Sequence, residues 1–220
     1  RYPEQWREIY STEQSQKAFE EDVQMIGFGA APTKAEGAAI SYESGREGFV
    51  SRYVHETIAL AFSITEEAEE DGLYGSLGAK YARALARSMQ HTKEIKGANI
   101  LNNATGTSVG GDGVSLLNAS HPLGGGGTAS NKLSTAADLS ETSLESLLVQ
   151  ISTAVDDRSI PIALTGQKLI VPPQLVFIAE RILKSNLRPG TADNDINALR
   201  NMGMIPEGVV VNQRFTDPDQ

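Results

Sequence analysis

The residues predict a mixed α+β protein whose elements protrude from a loop-rich body, and three features point that way. From Thr57 to Thr65, large apolar residues occupy every even position and small or polar ones every odd position, the period-2 mark of a strand buried on one face. Tyr74, Leu77, Tyr81, Leu85, Met89, Thr92 and Ile95 step by three and four, which marks an amphipathic helix of unusual length. Between Asn102 and Lys132 glycine is concentrated among Ser, Thr and Asn, with an unbroken run at Gly124-Gly125-Gly126-Gly127, so a long loop follows the helix.

Tyr2 to Met25 is polar and mixed, and it reads as an arm with a helix expected over Ser11 to Val23. Gly27-Phe28-Gly29-Ala30-Ala31-Pro32 breaks regularity. A strand is expected over Ala38 to Glu43, a turn over Ser44 to Gly48, and a return strand from Phe49 to Thr65 in which Arg52, His55 and Glu56 interrupt the apolar face. Together these predict a long hairpin with a polar tip. An acidic run, Glu66 to Asp71, precedes the helix, and Lys80, Arg83, Arg87, Gln90 and Glu94 form a second stripe on another face of it; acidic residues before the helix and cations along its later turns suit the helix dipole. From Leu73 to Leu101 that helix measures roughly 40 to 45 Å.

Beyond the glycines, Ser140 is placed to cap a helix with Leu144, Leu147, Leu148, Ile151 and Val155 on its apolar face, closed by Asp156-Asp157-Arg158. Lys168 to Val171 is a short buried-strand candidate, and Pro172-Pro173 can stop it and open a helix that buries Leu175, Ile178, Ala179, Ile182 and Leu183. From Asn186 onward the chain is loop-rich, with apolar runs at Met202 to Ile205 and Val209 to Val211.

Composition excludes several function classes. The 220 residues include no Cys, which removes disulfide frameworks, thiolate zinc sites and cysteine nucleophiles together. Hydrophobic residues make up 40% and charged residues 21%, and no run is apolar enough to span a membrane, so a soluble protein is expected. The net charge of −9 argues against a protein whose main task is to neutralise nucleic-acid phosphates. That charge is segregated: residues 1–70 sum to −8, 71–105 to +3 and 106–220 to −4. The basic stretch is open to three readings: a face for nucleic acid, a solvated helix face, or a partner for the chain's own acidic segment. Residue 1 is Arg and the first Met is Met25, so the chain is not expected to begin at its initiator.

The chemical motifs are weak. Gly106-Thr107-Ser108-Val109-Gly110 fits the nucleophile-elbow pattern, yet it follows a helix and enters a glycine loop, with only Asp112 and His121 following closely as triad partners for Ser108. Asp193, Asp195 and Asn197 imitate the start of a calcium loop, but Ala198 stands where its glycine belongs and Met204 where its glutamate belongs. His55, His91 and His121 lie far apart, and the four-glycine run lacks the Lys-Ser/Thr of a phosphate loop. No metal, cofactor or catalytic constellation emerges. An arm, a hairpin and a long two-faced helix need partners to bury their surface, which points to an assembling protein.

Several stretches carry a family resemblance: Gly111 to Leu123, Leu139 to Glu145, Asp156 to Ile162, Leu169 to Pro173, and Gly190 to Asn197. They resemble the middle of tailed-bacteriophage major capsid proteins, including the head subunits of Mu-like phages. That family implies the Hong Kong 97-type fold: an N-terminal arm (1–37), an extended hairpin loop (38–65), a peripheral domain (66–134) with its spine helix at 72–104 and the glycine-rich loop, and an axial domain (135–220). The family normally returns further strands to the peripheral domain after a segment like Thr216 to Asp219, so the axial domain is expected to be incomplete and the chain truncated at Gln220. Residues 38–65 hold no Lys, which makes the lysine crosslink of some members unexpected here.

The resemblance implies a structural, non-enzymatic subunit of an icosahedral phage or prophage head. Pentamers and hexamers would enclose double-stranded DNA without sequence preference, with scaffolding, portal and maturation-protease partners and no membrane. Its place would be the virion, after assembly in the bacterial cytoplasm. An encapsulin-like nanocompartment shell is the alternative with the same fold, and a Ser108 hydrolase the alternative of another class. Charge segregation nominates Arg46, Glu47, Arg52, Lys80, Arg83 and Arg87 as inter-subunit contact residues.

Overall fold

The computed structural model describes residues 3–70, 77–189 and 195–216. Its N-terminal stretch is not helical over Ser11 to Val23. A 3-10 turn at Gln5–Glu8 leads through an irregular linker into strand β1 (Phe19–Ile26), which pairs antiparallel with β2 (Arg46–Val54), from Phe19 opposite Val54 to Ile26 opposite Arg46. The extended form sets Glu21 across from Arg52 as an ion pair at 2.5 Å, a pairing that a helix over the same residues would forgo. The expected hairpin therefore exists with a different first strand. Residues 38–43 form no strand and belong to the 27–45 connection.

The cleanest alternation in the sequence, Thr57 to Thr65, is also not a strand. After a short helix α1 (Glu66–Glu70) comes the long helix α2 (Leu77–Asn102), whose 26 residues span about 39 Å. The 57–65 segment runs beside α2: the Phe62 ring stands 5.8 Å from that of Tyr81, and Thr57 to Leu60 lie against Ser88, Met89, Thr92 and Lys96. Its apolar residues face a helix, so the period-2 pattern is real while the hydrogen-bonded partner strand it implied is missing. The expected helix start at 72–76, with Tyr74 and Gly75, lies outside the described residues.

The face that α2 buries differs from the expected stripe. Tyr81, Met89 and Ile95 are 47, 36 and 37% exposed, whereas Glu94 and Ala98 are fully buried. The cause is the arm. Trp6 packs there and donates its amide to Glu94 Oε2 at 3.1 Å, Tyr10 donates its hydroxyl to the Gly97 carbonyl at 2.8 Å, and Lys93 Nζ sits 4.1 Å from the indole centroid. A Cβ on Gly97 would stand 3.3 Å from Trp6 Cβ, so glycine permits this close seat.

The glycine-rich region after α2 holds one small antiparallel pair, β3 (His121–Pro122) with β4 (Thr128–Ala129). The body follows. Helix α3 (Glu141–Ser152) starts at Ser140, whose hydroxyl accepts the Ser143 amide at 3.1 Å while the Ser143 hydroxyl accepts the Ser140 amide at 2.9 Å. It ends at Ser152, so Asp156-Asp157-Arg158 does not close it but builds a separate turn. In that turn the Asp156 carboxylate accepts the amides of Arg158 and Ile160, both at 2.8 Å. Strand β5 (Leu169–Val171) yields at Pro172-Pro173 to a 3-10 turn and then α4 (Val176–Lys184), as the prolines predict.

Helix α5 (Ala198–Met202) and β6 (Val209–Val211) complete the body, β6 pairing parallel with β5. Leu144, Leu148, Ile182 and Leu199 form the buried core, flanked by Leu139, Leu169, Ile178, Leu183, Met204 and Ile205. Each fully buried aliphatic side chain contributes about 1.5–3 kcal/mol. Asn197, from the calcium-loop imitation, is wholly buried: it caps α5 by accepting the Arg200 amide and donates to the Ile182 carbonyl at 2.5 Å. A capping role explains its identity, and Asp193 lies outside the described residues.

The chain exposes 15666 Å². A compact monomer of 23.5 kDa is expected to expose about 9,800 Å². Large apolar side chains remain in water on the hairpin, the 57–65 segment and the first half of α2, and also at Phe28, Ile40 and Tyr42 of the 27–45 connection and at Phe177 and Met202 of the body.

Candidate assembly surfaces

Strand alternation gathers Phe19, Glu21 and Val23 of β1 with Val50, Arg52 and Val54 of β2 on one face of the hairpin. Phe19, Val23, Val50 and Val54 are between 41 and 69% exposed. Arg52 sits among them, 4.6 Å above the Phe19 ring and paired with Glu21. A two-stranded ribbon is marginal in water by itself, so this apolar stripe is a surface that another body could cover.

The nominated residues fall into two groups that one copy does not join. Arg46, Glu47 and Arg52 lie on β2; Arg46 donates to the Gly124 carbonyl at the loop end of the hairpin, and Glu47 stands opposite Met25 and is exposed. Lys80, Arg83 and Arg87 lie within one face of α2 by their three- and four-residue spacing, all exposed. Among the described residues no hydrogen bond or ion pair connects Arg46, Glu47 or Arg52 to Lys80 or Arg83. Arg52, already paired within its own hairpin, is less available to a neighbour than its position in the sequence implied.

Further along α2, Lys96 pairs with Glu56, holding Glu56 below its ordinary carboxylate pKa, chiefly through the hydrogen bond and then through the ammonium charge. The 57–65 segment is thereby fastened to the helix at one end by an ion pair and beside it by Phe62 on Tyr81. Lys80 and Arg83 of the basic stripe are exposed.

Between the hairpin and the glycine-rich region lies a cleft of about 400 Å³, lined by Asp22, Gln24, Phe49, Ser51, Asp112 and His121 among others. His121 Nδ1 and Asp112 Oδ2 stand 2.6 Å apart, and His121 Nε2 is buried without a partner. Burial pushes the Asp112 pKa up, but the hydrogen bond to His121 and the bond from the Val114 amide outweigh it and hold the carboxyl below its usual value. Gly111 is needed at the cleft wall because a Cβ there would run into the Ser51 hydroxyl.

Ser108 does not line this cleft; its amide donates to the Asn103 carbonyl at 3.0 Å and its carbonyl accepts the Leu116 amide at 2.8 Å. His121 and Asp112 engage each other beside Ser51, and among the described residues no hydrogen bond joins either to the Ser108 hydroxyl of the alternative hydrolase reading. Among the described residues no group of three His, Cys, Asp or Glu could hold a metal ion, and no helix is long and apolar enough to cross a membrane.

Two sets of residues escaped sequence reasoning. The Trp6–Glu94 seat joins positions 88 apart, and its only signals are the single Trp and an acidic residue in a basic helix. The other set, Gln24 with Asp157 and Arg158, ties the loop end of the hairpin to the turn after α3, and no local pattern announces it.

A family model described as phage capsid protein matches residues 49–220. No curated protein sequence matches the chain. Among solved structures, the capsid of bacteriophage JBD30 is similar with a TM-score of 0.67 at 12% identity, covering 92% of this chain and 88% of that one. The JBD30 capsid decorated with minor capsid protein trimers is similar with a TM-score of 0.72 at 13% identity, covering 98% of this chain and 92% of that one.

Proposed function

Because this chain belongs to the phage capsid protein family, a family of structural shell proteins, we propose that its many copies close into an icosahedral head of the Hong Kong 97 type around double-stranded DNA. In this reading 1–37 is the arm, 38–65 with the strand that pairs to it the extended loop, 66–134 the peripheral domain on the spine helix, and 135–220 the axial domain. Pentamers and hexamers, scaffolding, a portal and a maturation protease are its partners, and the virion of a phage or prophage its location.

The observation that carries the proposal is the exposed area. The chain exposes about 5,900 Å² beyond the compact-monomer expectation, and exposed apolar side chains such as Val50, Val54, Tyr42 and Phe177 are part of that surface. A standard stable interface buries roughly 800 Å² per partner, so this surplus is enough for several neighbours at once. The acidic hairpin of one copy is proposed to lie over the Lys80, Arg83 and Arg87 stripe of the next, with Arg46, Glu47 and Arg52 at the same contact. Single exposed pairs are worth little, so the effect comes from repetition across the lattice.

Electron microscopy of the expressed chain tests the proposal: closed shells are expected, and a persistently monomeric protein at high concentration overturns it. For the contact itself, Arg83→Glu with Arg87→Glu is expected to impair shells most at low salt. Unchanged shells at both low and high salt would remove the charge contact from the reading. A nanocompartment shell is not favoured by the family match.

A further inference from the structure

We infer that Asp157 and Arg158, together with Gln24, are positioning residues that aim the hairpin, holding its loop end to the body by a polar clasp. The β1–β2 ladder slips between Val23, opposite Val50, and Met25, opposite Glu47, so Gln24 alone faces Gly48 and Phe49. Such a bulge bends the ribbon and leaves ladder groups without their regular partner. Gln24 repairs this with its own side chain: Oε1 accepts the Phe49 amide at 3.4 Å, while Nε2 donates to Asp157 Oδ2 at 2.6 Å. One side chain thus closes the bulge and fastens it to the body.

Arg158 holds the exit of the same strand. Its Nε donates to the Gly27 carbonyl at 3.2 Å, where β1 ends, and Nη1 pairs with Glu43 at 3.1 Å, shortly before β2 begins. Glu43 in turn accepts the Gly29 amide at 2.9 Å. The guanidinium therefore gathers both ends of the 27–45 connection, a task suited to a planar fork with several donors. Arg46 adds a bond to the Gly124 carbonyl, and the Gly125 amide donates to the Asp157 carbonyl at 2.8 Å, so the glycine loop is the third part of the clasp. Gly124 is glycine because a Cβ would press into Ile26, the one buried residue of the hairpin.

The turn that presents these groups is itself rigid. Asp156 accepts two amides of the turn, and Ser159 adopts φ 63°, a left-handed conformation that non-glycine residues take rarely. A turn that holds a bent ribbon by side-chain bonds fixes its loop end, while Ser51 against Gly111 seats its middle and the Glu56–Lys96 pair ties the chain just past its open end to α2. The consequence for assembly rests on the shell reading; the clasp itself does not.

Hydrogen exchange on the unassembled full-length chain separates the two. In Arg158→Ala and in Asp157→Ala, amide exchange is expected to rise about tenfold around residues 24–29 and 43–48, while mid-strand amides at 20–23 and 50–53 and those of α3 and α4 keep their protection. Arg158→Lys, which keeps the charge toward Glu43 but loses the fork, is expected to fall between wild type and Arg158→Ala. Unchanged exchange at 24–29 and 43–48 overturns the inference, and so does a rise shared equally by α3 and α4, since that marks a general structural role. Wild-type shells by microscopy report on the shell reading alone; if they form and the variants give misshapen ones, the aiming role extends to the lattice, and if the variants' shells are normal, that role is refuted.

Discussion

The body from Leu139 to Val211 and the protruding half, the hairpin with 57–65 and the start of α2, use the same apolar residue types to opposite ends. In the body, Leu144, Leu148, Ile182 and Leu199 are at most 5% exposed and hold one another. On the hairpin, Val23, Val50 and Val54 stand in water although each faces a cross-strand partner. Local order and burial are thus separable here: the hairpin has its hydrogen bonds within one chain and lacks the cover that would make its apolar face stabilising. The difference is what a subunit needs if it must fold alone and then complete its burial against copies of itself.

That contrast can be broken or sharpened by substitution. Leu148→Ala should cost about 2–5 kcal/mol by opening a cavity in the only sizeable core described, seen as a lower thermal midpoint before any assembly. Asn197→Ala should cost about 2–3 kcal/mol, because it removes the α5 cap and leaves the Ile182 carbonyl without its buried donor. The Asp112 contribution is smaller and pH-dependent. Its carboxyl is held below the ordinary value, so it stabilises the fold at pH above the unfolded-state value of about 3.9 and loses that contribution as the pH falls through the folded value. The stability gap between wild type and Asp112→Asn should therefore narrow in acid titrations followed by circular dichroism.

Val50→Ser should change the subunit's own melting least, within about 0.5 kcal/mol, yet lower the yield of shells. An equal loss of stability from Val50→Ser and Leu148→Ala would erase the distinction between the two regions.

Legibility in the sequence followed the same division. Ser140, Pro172-Pro173 and the Lys168 to Val171 run act through neighbours a few residues away, so their caps, stops and strand were readable at once. The hairpin was readable as a kind of element but not in register. Its first strand, Phe19-Glu20-Glu21-Asp22-Val23, is exposed on nearly every residue, and burial on one face is what writes alternation into a sequence. Thr57 to Thr65 shows the converse: strong alternation recorded contact with a helix and misled about hydrogen bonding. On α2 the stripe of Lys80, Arg83 and Arg87 was visible, whereas the buried Glu94 was not, because a carboxylate there is meaningful only once Trp6, 88 residues earlier, supplies its amide. The clasp at Asp157 and Arg158 was hidden for the same reason, with partners more than 100 residues away.

Trp6 is the only tryptophan in the chain, and it sits 8% exposed against α2 under Lys93. Its seat therefore turns ultraviolet emission into a label-free signal for a single event, the lifting of the arm. A protein that reports the state of one terminus by its native colour can be followed in real time through concentration jumps, with no dye attached to a surface that assembly needs.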